Sequence, residues 1–312
     1  MPEGDTIYRT ARTLQKAMGG KVVTAFETGL AKLAAVDDES PIVGRTVERV
    51  EARGKWCLIF FSGDLILVTH MLMSGSWHIY RVGERWKLPR RMMRIVVRVG
   101  GASVFPTHAR KDAHEWATQD VGSATRDVVE YEAVLFNAQV AEFYTARTLE
   151  RNAQVPKLGL DVLSEGLSVE RGVQALRERA ASHPDDEVGV VLLNQRVMAG
   201  LGNVYKSEVA FAAGVNPFRA MRTITEREME ALVEAARKYM TANVAEGTSE
   251  QMVTYTGPRR TTRAMDHGAR MWVYRRQGEE CRRCGAAILM RKQGVQVRST
   301  YWCPVCQPLE AG

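Results

Sequence analysis

LeuLeuAsnGlnArgValMetAlaGlyLeuGlyAsnValTyrLysSerGlu, residues 192–208, sets two glycines and an asparagine between stretches of helical character. Gly200 and Gly202 permit a tight double turn, because glycine enters left-handed backbone without steric cost. Asn203 is a residue type that caps a following helix, whose first amide N–H groups would then suit a phosphate. The same residues also fit a plain helical hairpin closed by a glycine turn. Around this stretch, apolar periodicity predicts helices over 169–181, 186–196, 203–213 and 224–245. These make a helical domain of residues 166–250, entered through a linker at 151–165.

Upstream the texture differs. Ile7, Ala11, Leu14 and Met18 share one helical face before Gly19-Gly20, so the chain opens with a helix. From residue 21 to about 146 come short β-rich runs: LysValValThrAlaPhe, ThrValGluArgValGluAla, CysLeuIlePhePhe, LeuIleLeuVal, IleValValArgVal, AlaValLeuPhe and ValAlaGluPhe. Their spacing is that of a sandwich or barrel. An all-β domain carrying an N-terminal helix is therefore expected over 1–150. Residues 105–127 are polar and aperiodic and read as an exposed insertion, with His108 and His114 as unliganded surface histidines. Cys57, inside an apolar run, reads as a core thiol.

The C-terminal segment, 251–312, carries the charge. The chain has 43 Lys and Arg against 36 Asp and Glu, a net +7. Residues 253–312 hold 11 basic side chains (all Arg except Lys292) and 4 acidic ones, while the rest of the chain balances. Clustered guanidinium groups suit phosphate oxygens, although a solvated basic tail would look alike. In the same segment Cys281-x2-Cys284 and Cys303-x2-Cys306 stand 18 residues apart. That spacing predicts a four-thiolate zinc ribbon, one closed structural site with no open position. Disulfides and a redox CxxC fit the repeated pair less well.

An apolar content of 45% with 26 Gly and 10 Pro in 312 residues excludes a disordered or collagenous chain. No apolar stretch reaches the roughly 18 residues of a membrane span. MetProGluGlyAsp at the start does not look like a secretory leader, so a cytoplasmic protein is expected. Pro2 permits removal of Met1, which would leave a secondary amine. Such an amine attacks an anomeric carbon to give an iminium, and the adjacent Glu3 can move protons. Pro and Glu are equally ordinary first-turn helix residues.

Five motifs in order carry a family resemblance: MetProGluGlyAspThrIle at 1–7, ArgGlyLysTrp at 53–56, ThrHisMetLeuMetSerGlySerTrp at 69–77, the 192–208 stretch, and ArgSerThrTyrTrpCysProValCysGln at 298–307. Together they resemble the formamidopyrimidine-DNA glycosylase and endonuclease VIII family over essentially the whole chain. The resemblance implies an α+β multidomain fold: N-terminal helix and β-sandwich, helix-two-turns-helix domain, and zinc ribbon. It implies Pro2 as the nucleophile at C1′ and Glu3 as its acid–base partner. Lys55 would be the hairpin lysine on a phosphate, Asn203 a phosphate contact, and Arg298 the finger-tip arginine gripping phosphates around the lesion. Met73 would be a wedge filling the space of an extruded base, and His70 would lie near the DNA backbone. Cys281, Cys284, Cys303 and Cys306 would hold the one Zn2+.

No PheAspxProArgArgPheGly-like loop follows, and PheAsnAlaGlnValAlaGluPhe at 136–143 stands near its expected place. AspThrIle at 5–7 also departs from the family's usual ProGluVal or ProGluIle. Both features resemble the endonuclease VIII branch, whose substrates are mainly oxidised pyrimidines. The expected partner is damaged double-stranded DNA, bound by a monomer without membrane or nucleotide cofactor. Two alternatives stay open: a catalytically silent damaged-DNA-binding protein of the same fold, for which Pro2 would be unnecessary, and a glycosylase for formamidopyrimidine and oxidised guanine.

Overall fold

The structure, a computed structural model, describes residues 2–100, 130–151, 155, 157–245, 254 and 270–309. The 105–127 segment with His108 and His114, Met1, and Arg259, Arg260 and Arg263 of the basic segment lie outside the described residues. The chain divides into two compact units. One comprises Thr10–Glu51 and Cys57–Leu149; the other comprises Pro2–Arg9, Ala52–Trp56 and Glu150–Gly312. Helix α1 (Gly4–Met18) buries Ile7, Ala11, Leu14 and Met18, the face its periodicity predicts.

The first unit is built on strands β1 (Val22–Thr28), β2 (Val47–Arg53), β3 (Trp56–Phe61), β4 (Leu65–His70), β5 (Ser76–Arg81), β6 (Met93–Gly100), β7 (Tyr131–Phe136) and β8 (Val140–Tyr144). They form two four-stranded sheets, ordered β1-β6-β7-β5 and β2-β3-β4-β8. Phe26 of β1 meets Phe143 of β8 with ring centroids 5.9 Å apart, where the two sheets face each other as a sandwich. Cys57 lies in β3 without exposure, and burial pushes its thiol up to about 12, so it is the core thiol expected.

Two elements were not among those expected: a helix and a strand. Helix α2 (Ala31–Glu39) buries only Leu33, and Leu30 precedes it without a side-chain cap. With neither an apolar stripe nor a capping residue, the sequence carries little but alanine propensity to mark it. Strand β5, SerTrpHisIleTyrArg, pairs antiparallel with β7 from Ser76↔Phe136 to Arg81↔Tyr131. Its polar residues hid the strand from a search for apolar runs.

Helix α3 (Ala146–Glu150) ends the first unit and runs into the segment read as a linker. There β9 (Leu160–Asp161) pairs parallel with β10 (Met198–Ala199), so this stretch is tied into the second unit. Helix α4 (Val169–Ser182) starts at Ser168, whose side chain caps the Arg171 N–H. Helices α5 (Val188–Leu193), α6 (Asn203–Ala212) and α7 (Glu226–Ala245) complete the helical core. Leu176, Val191, Leu192, Tyr205, Val209, Leu232 and Met240 pack at its centre. A Cβ at Gly172 would lie 2.6 Å from Val233 Cγ1, a measure of how closely α4 and α7 approach.

Helix α5 is shorter than the expected 186–196 because Gln195 organises a turn instead. Its Nε2 donates to the Leu193 and Leu201 carbonyls, and its Oε1 accepts from the Gly200 N–H at 3.0 Å. The chain ends in an antiparallel hairpin of β11 (Leu289–Gln293) and β12 (Arg298–Trp302). Gln293 pairs with Arg298 at the turn end and Leu289 with Trp302 at the other. The two CxxC knuckles therefore sit at the base of this hairpin, away from its turn.

Candidate active site

The double turn receives the start of the chain. Gly200, at φ +103°, accepts the Gly4 N–H at 2.9 Å, and a Cβ on Gly4 would fall 2.7 Å from the Gly200 Cα. Pro2, half-buried, and Glu3, buried, are thereby fixed against the entrance to α6. The Glu3 carboxylate accepts the Val204 N–H at 2.9 Å and the Tyr205 N–H at 3.4 Å. Asn203 was expected to cap this helix. It does not: the cap position is Gly202, and the first-turn amides read as a phosphate seat are taken by a carboxylate two hundred residues earlier in sequence. A carboxylate gains there from the helix dipole and from charge-assisted hydrogen bonds.

Burial raises the pKa of Glu3, with the Asp5 charge adding to the rise; the Lys55 ammonium and the two amides act against it. A carboxyl whose pKa is raised by burial is a better-poised proton donor than an exposed one. Asp5 is also buried and raised, chiefly by burial and against the pull of Arg9. Asp5 Oδ2 and the Tyr205 hydroxyl are buried without a hydrogen-bond partner among the described residues.

Gly202 is required by a close approach and not by its backbone, which is extended at φ −124° and ψ −164°. A Cβ there would stand 2.3 Å from Glu3 Cδ and within 2.6 Å of both its oxygens. Gly202→Ala should therefore displace Glu3 without straining the turn. We expect single-turnover base excision to fall by at least about tenfold, the scale of a lost acid–base group. Affinity for a duplex with a tetrahydrofuran abasic analogue should change little. Unchanged excision would show that the position of Glu3 is irrelevant.

Lys55 lies in the turn between β2 and β3. Gly54, at φ +57°, donates its N–H to Asp161 Oδ2 at 2.6 Å, and Asp161 Oδ1 accepts the Leu163 N–H. Asp161 thus holds the turn that presents Lys55. Burial lowers the Lys55 pKa, Arg298 lowers it further, and Glu3 opposes both. Arg298 is exposed at the start of β12, with its Nε donating to Gln296 Oε1. Asn203 Nδ2 donates to the Ser299 carbonyl at 2.9 Å. Pro2, Glu3, Lys55, Asn203 and Arg298 all belong to the second unit.

His70 and Met73 belong to the first unit. His70 Nδ1 accepts the Leu72 N–H at 3.0 Å, and Leu72 takes a left-handed φ of +50°. That turn leaves Met73 66% exposed and Leu72 39% exposed. Two exposed apolar side chains on one strained turn are not core filling. In the 136–143 segment, by contrast, only residues 137–139 link β7 to β8, with Ala138 fully buried, too short for a projecting loop.

The four cysteines converge. Their Sγ atoms all lie within 4.8 Å of one another, with Cys281 to Cys306 at 3.9 Å and Cys284 to Cys303 at 3.4 Å. Thiolates on a tetrahedral ion with bonds of about 2.3 Å would stand roughly 3.8 Å apart. The cluster fits a metal ion, and no disulfide forms between these cysteines.

Several buried or half-buried polar residues of this unit were missed from the sequence. Glu208 accepts the N–H groups of Trp272, Val273 and Tyr274 and pins the approach to the ribbon. Asp161, Gln195 and Lys206 were missed likewise. Gln195, Lys206 and Glu208 lie within the 192–208 stretch, but its spacing gave them no role.

Residues 1–115 match the formamidopyrimidine-DNA glycosylase N-terminal domain, and residues 158–254 match the formamidopyrimidine-DNA glycosylase H2TH domain. The chain is 33% identical over 307 residues to DNA-(apurinic or apyrimidinic site) lyase Nei2 of Mycolicibacterium smegmatis, covering 98% of this chain and 99% of that one. It is 31% identical over 310 residues to Endonuclease 8 2 of Mycobacterium bovis, covering 98% and 100%. Its fold resembles Lactococcus lactis formamidopyrimidine DNA glycosylase bound non-covalently to DNA containing an AP site, with a TM-score of 0.71 at 19% identity, covering 98% and 99%. The chain belongs to the formamidopyrimidine-DNA glycosylase and endonuclease VIII family. The endonuclease 8 relatives set it in the endonuclease VIII-like branch. Among the described residues no helix is long and apolar enough to cross a membrane.

Proposed function

We propose that this chain, a DNA glycosylase and abasic-site lyase of base excision repair, removes oxidised bases from double-stranded DNA with pyrimidines preferred, using the Pro2 amine freed of Met1. The observation that carries the reading is the buried Glu3, its pKa raised by burial, held on the α6 amides directly beside Pro2. The Pro2 nitrogen attacks C1′ as the base leaves with its bonding electron pair, and Glu3 gives its proton to the opening sugar oxygen. Loss of the amine proton completes an iminium between Pro2 and C1′. That electron sink acidifies the C2′ proton, so the 3′ phosphate leaves by β-elimination and the 5′ phosphate by δ-elimination.

Lys55 and Arg298 hold the phosphates that flank the lesion. Asn203 joins them through its second amide N–H, which has no acceptor among the described residues. The four cysteines hold one Zn2+, which stabilises the ribbon and takes no part in the chemistry. The protein acts as a monomer in the cytoplasm, on DNA, without a nucleotide cofactor.

Met73 fills the stack vacated by the extruded base, and His70 fixes the turn that carries it near the DNA backbone. Met73→Ala should slow excision from a duplex while sparing a single-stranded lesion, where little unstacking is needed. The measurement is a pair of single-turnover rates; equal slowing of both, or of neither, removes Met73 as the wedge and points to Leu72. Run on wild type with an oxidised pyrimidine and with oxidised guanine, the same assay tests the substrate. Faster release of oxidised guanine would overturn the pyrimidine preference.

A further inference from the structure

Lys206 carries a charge-bearing side chain with no exposure at all, and the proposed chemistry does not use it. It lies three residues after Asn203, on the same face of α6. Its Nζ donates to Thr300 Oγ1 at 2.6 Å and to the Ser299 carbonyl at 3.4 Å, the carbonyl that Asn203 also holds. The Thr300 hydroxyl passes its own proton to Gln293 Oε1 at 2.8 Å, so its lone pairs face the lysine. Gln293 Nε2 in turn donates to Glu187 Oε2 and to the Pro217 carbonyl. Every donor in this chain has one direction, and both strands of the hairpin are caught by it.

We propose that Lys206 is a positioning residue that grips β12 at the two residues after Arg298 and so fixes where the Arg298 guanidinium meets a phosphate. An apolar side chain of this length would fill the space and leave the Thr300 hydroxyl oxygen with no donor in a dry site. Burial and the nearby Arg298 charge pull the Lys206 ammonium down to about 7, while Glu3 and Glu187 pull it up. Near neutrality the amine thus spends much of its time with two N–H groups, the number of acceptors it has. It holds the strand without setting a second full charge beside Arg298. The inference rests on the reading of Arg298 as a phosphate contact.

The test is a double-mutant cycle on the full chain, with a duplex carrying a tetrahydrofuran abasic analogue as probe and affinity read at several salt concentrations. Arg298→Ala alone should weaken binding and reduce the salt slope by about one. Lys206→Met should reproduce most of that loss and the same drop in slope, and the double variant should bind no worse than Arg298→Ala. Thr300→Val, which keeps Lys206 and removes its acceptor together with the hydroxyl donor to Gln293, should follow Lys206→Met and guards against a folding defect; one zinc per chain confirms an intact ribbon in each. A lysine that merely supports the fold would weaken binding at an unchanged slope, and its loss would multiply with that of Arg298→Ala; either result overturns the inference while leaving the reading of Arg298 intact. If Arg298→Ala binds with wild-type affinity and slope, the reading of Arg298 fails and the inference falls with it.

Discussion

Chelation of the metal, or Cys303→Ser, is expected to unfold the ribbon and abolish binding to duplex DNA while the β-sandwich stays folded. The apolar cluster of this region is small: Val273, Ile288, Cys281 and Cys303 gather around Phe211 of α6. So little buried surface cannot order the segment alone, whereas structural zinc supplies roughly 10–16 kcal/mol to comparable small sites. Arg298, Ser299 and Thr300 lie on the hairpin that would be lost. Metal analysis should return one zinc per chain, and circular dichroism should keep the β signal after chelation. Active, DNA-binding protein with near-zero zinc would refute the assignment.

Glu3→Gln is expected to lower base excision by about 10²- to 10⁴-fold, the usual contribution of a positioned acid–base group. The amide keeps the size of the side chain and can still accept one N–H of α6, but it carries no exchangeable acid proton. The helix loses part of its cap, a matter of about 1 kcal/mol, so a small fall in Tm should accompany the change. Affinity for the tetrahydrofuran duplex should stay within severalfold. Equal excision rates in the two proteins would remove Glu3 from the mechanism. Gly202→Ala provides the complementary case, with the acid present but displaced.

The parts of the fold with a clean period were legible in the sequence. The stripe of α1, the runs of β3 and β4, and the α4 pattern behind the Ser168 cap each state their structure locally. Helix α6 shows where that reading stops. Lys206, Ser207 and Glu208 are consecutive and fully buried, although three polar residues in a row read as a solvated face. Each is buried because its partner comes from the ribbon segment: Thr300 for Lys206, the Tyr301 N–H for Ser207, the 272–274 amides for Glu208. Partners some 65 to 95 residues away leave no trace in local spacing.

The site was legible in a different way. Nothing local distinguishes ProGlu at 2–3 from an ordinary helix start; the resemblance of five motifs gave those residues their expected roles. Geometry adds what the resemblance did not contain. Glu3, not Asn203, caps α6, and Gly202 is glycine because the Glu3 carboxylate needs the space. Asp161, in a stretch read as a linker, holds the turn of Lys55. A cap formed across two hundred residues of chain cannot be read from a capping consensus, which looks only at neighbours.

Borohydride reduction in the presence of a duplex with an abasic site tests the central claim most directly, because it freezes the iminium as a stable amine. A covalent protein–DNA adduct is expected, which mass spectrometry of the digested complex should place on the Pro2 nitrogen in chains that have lost Met1. No adduct, or an adduct on a lysine such as Lys55 with Pro2 unmodified, would contradict it.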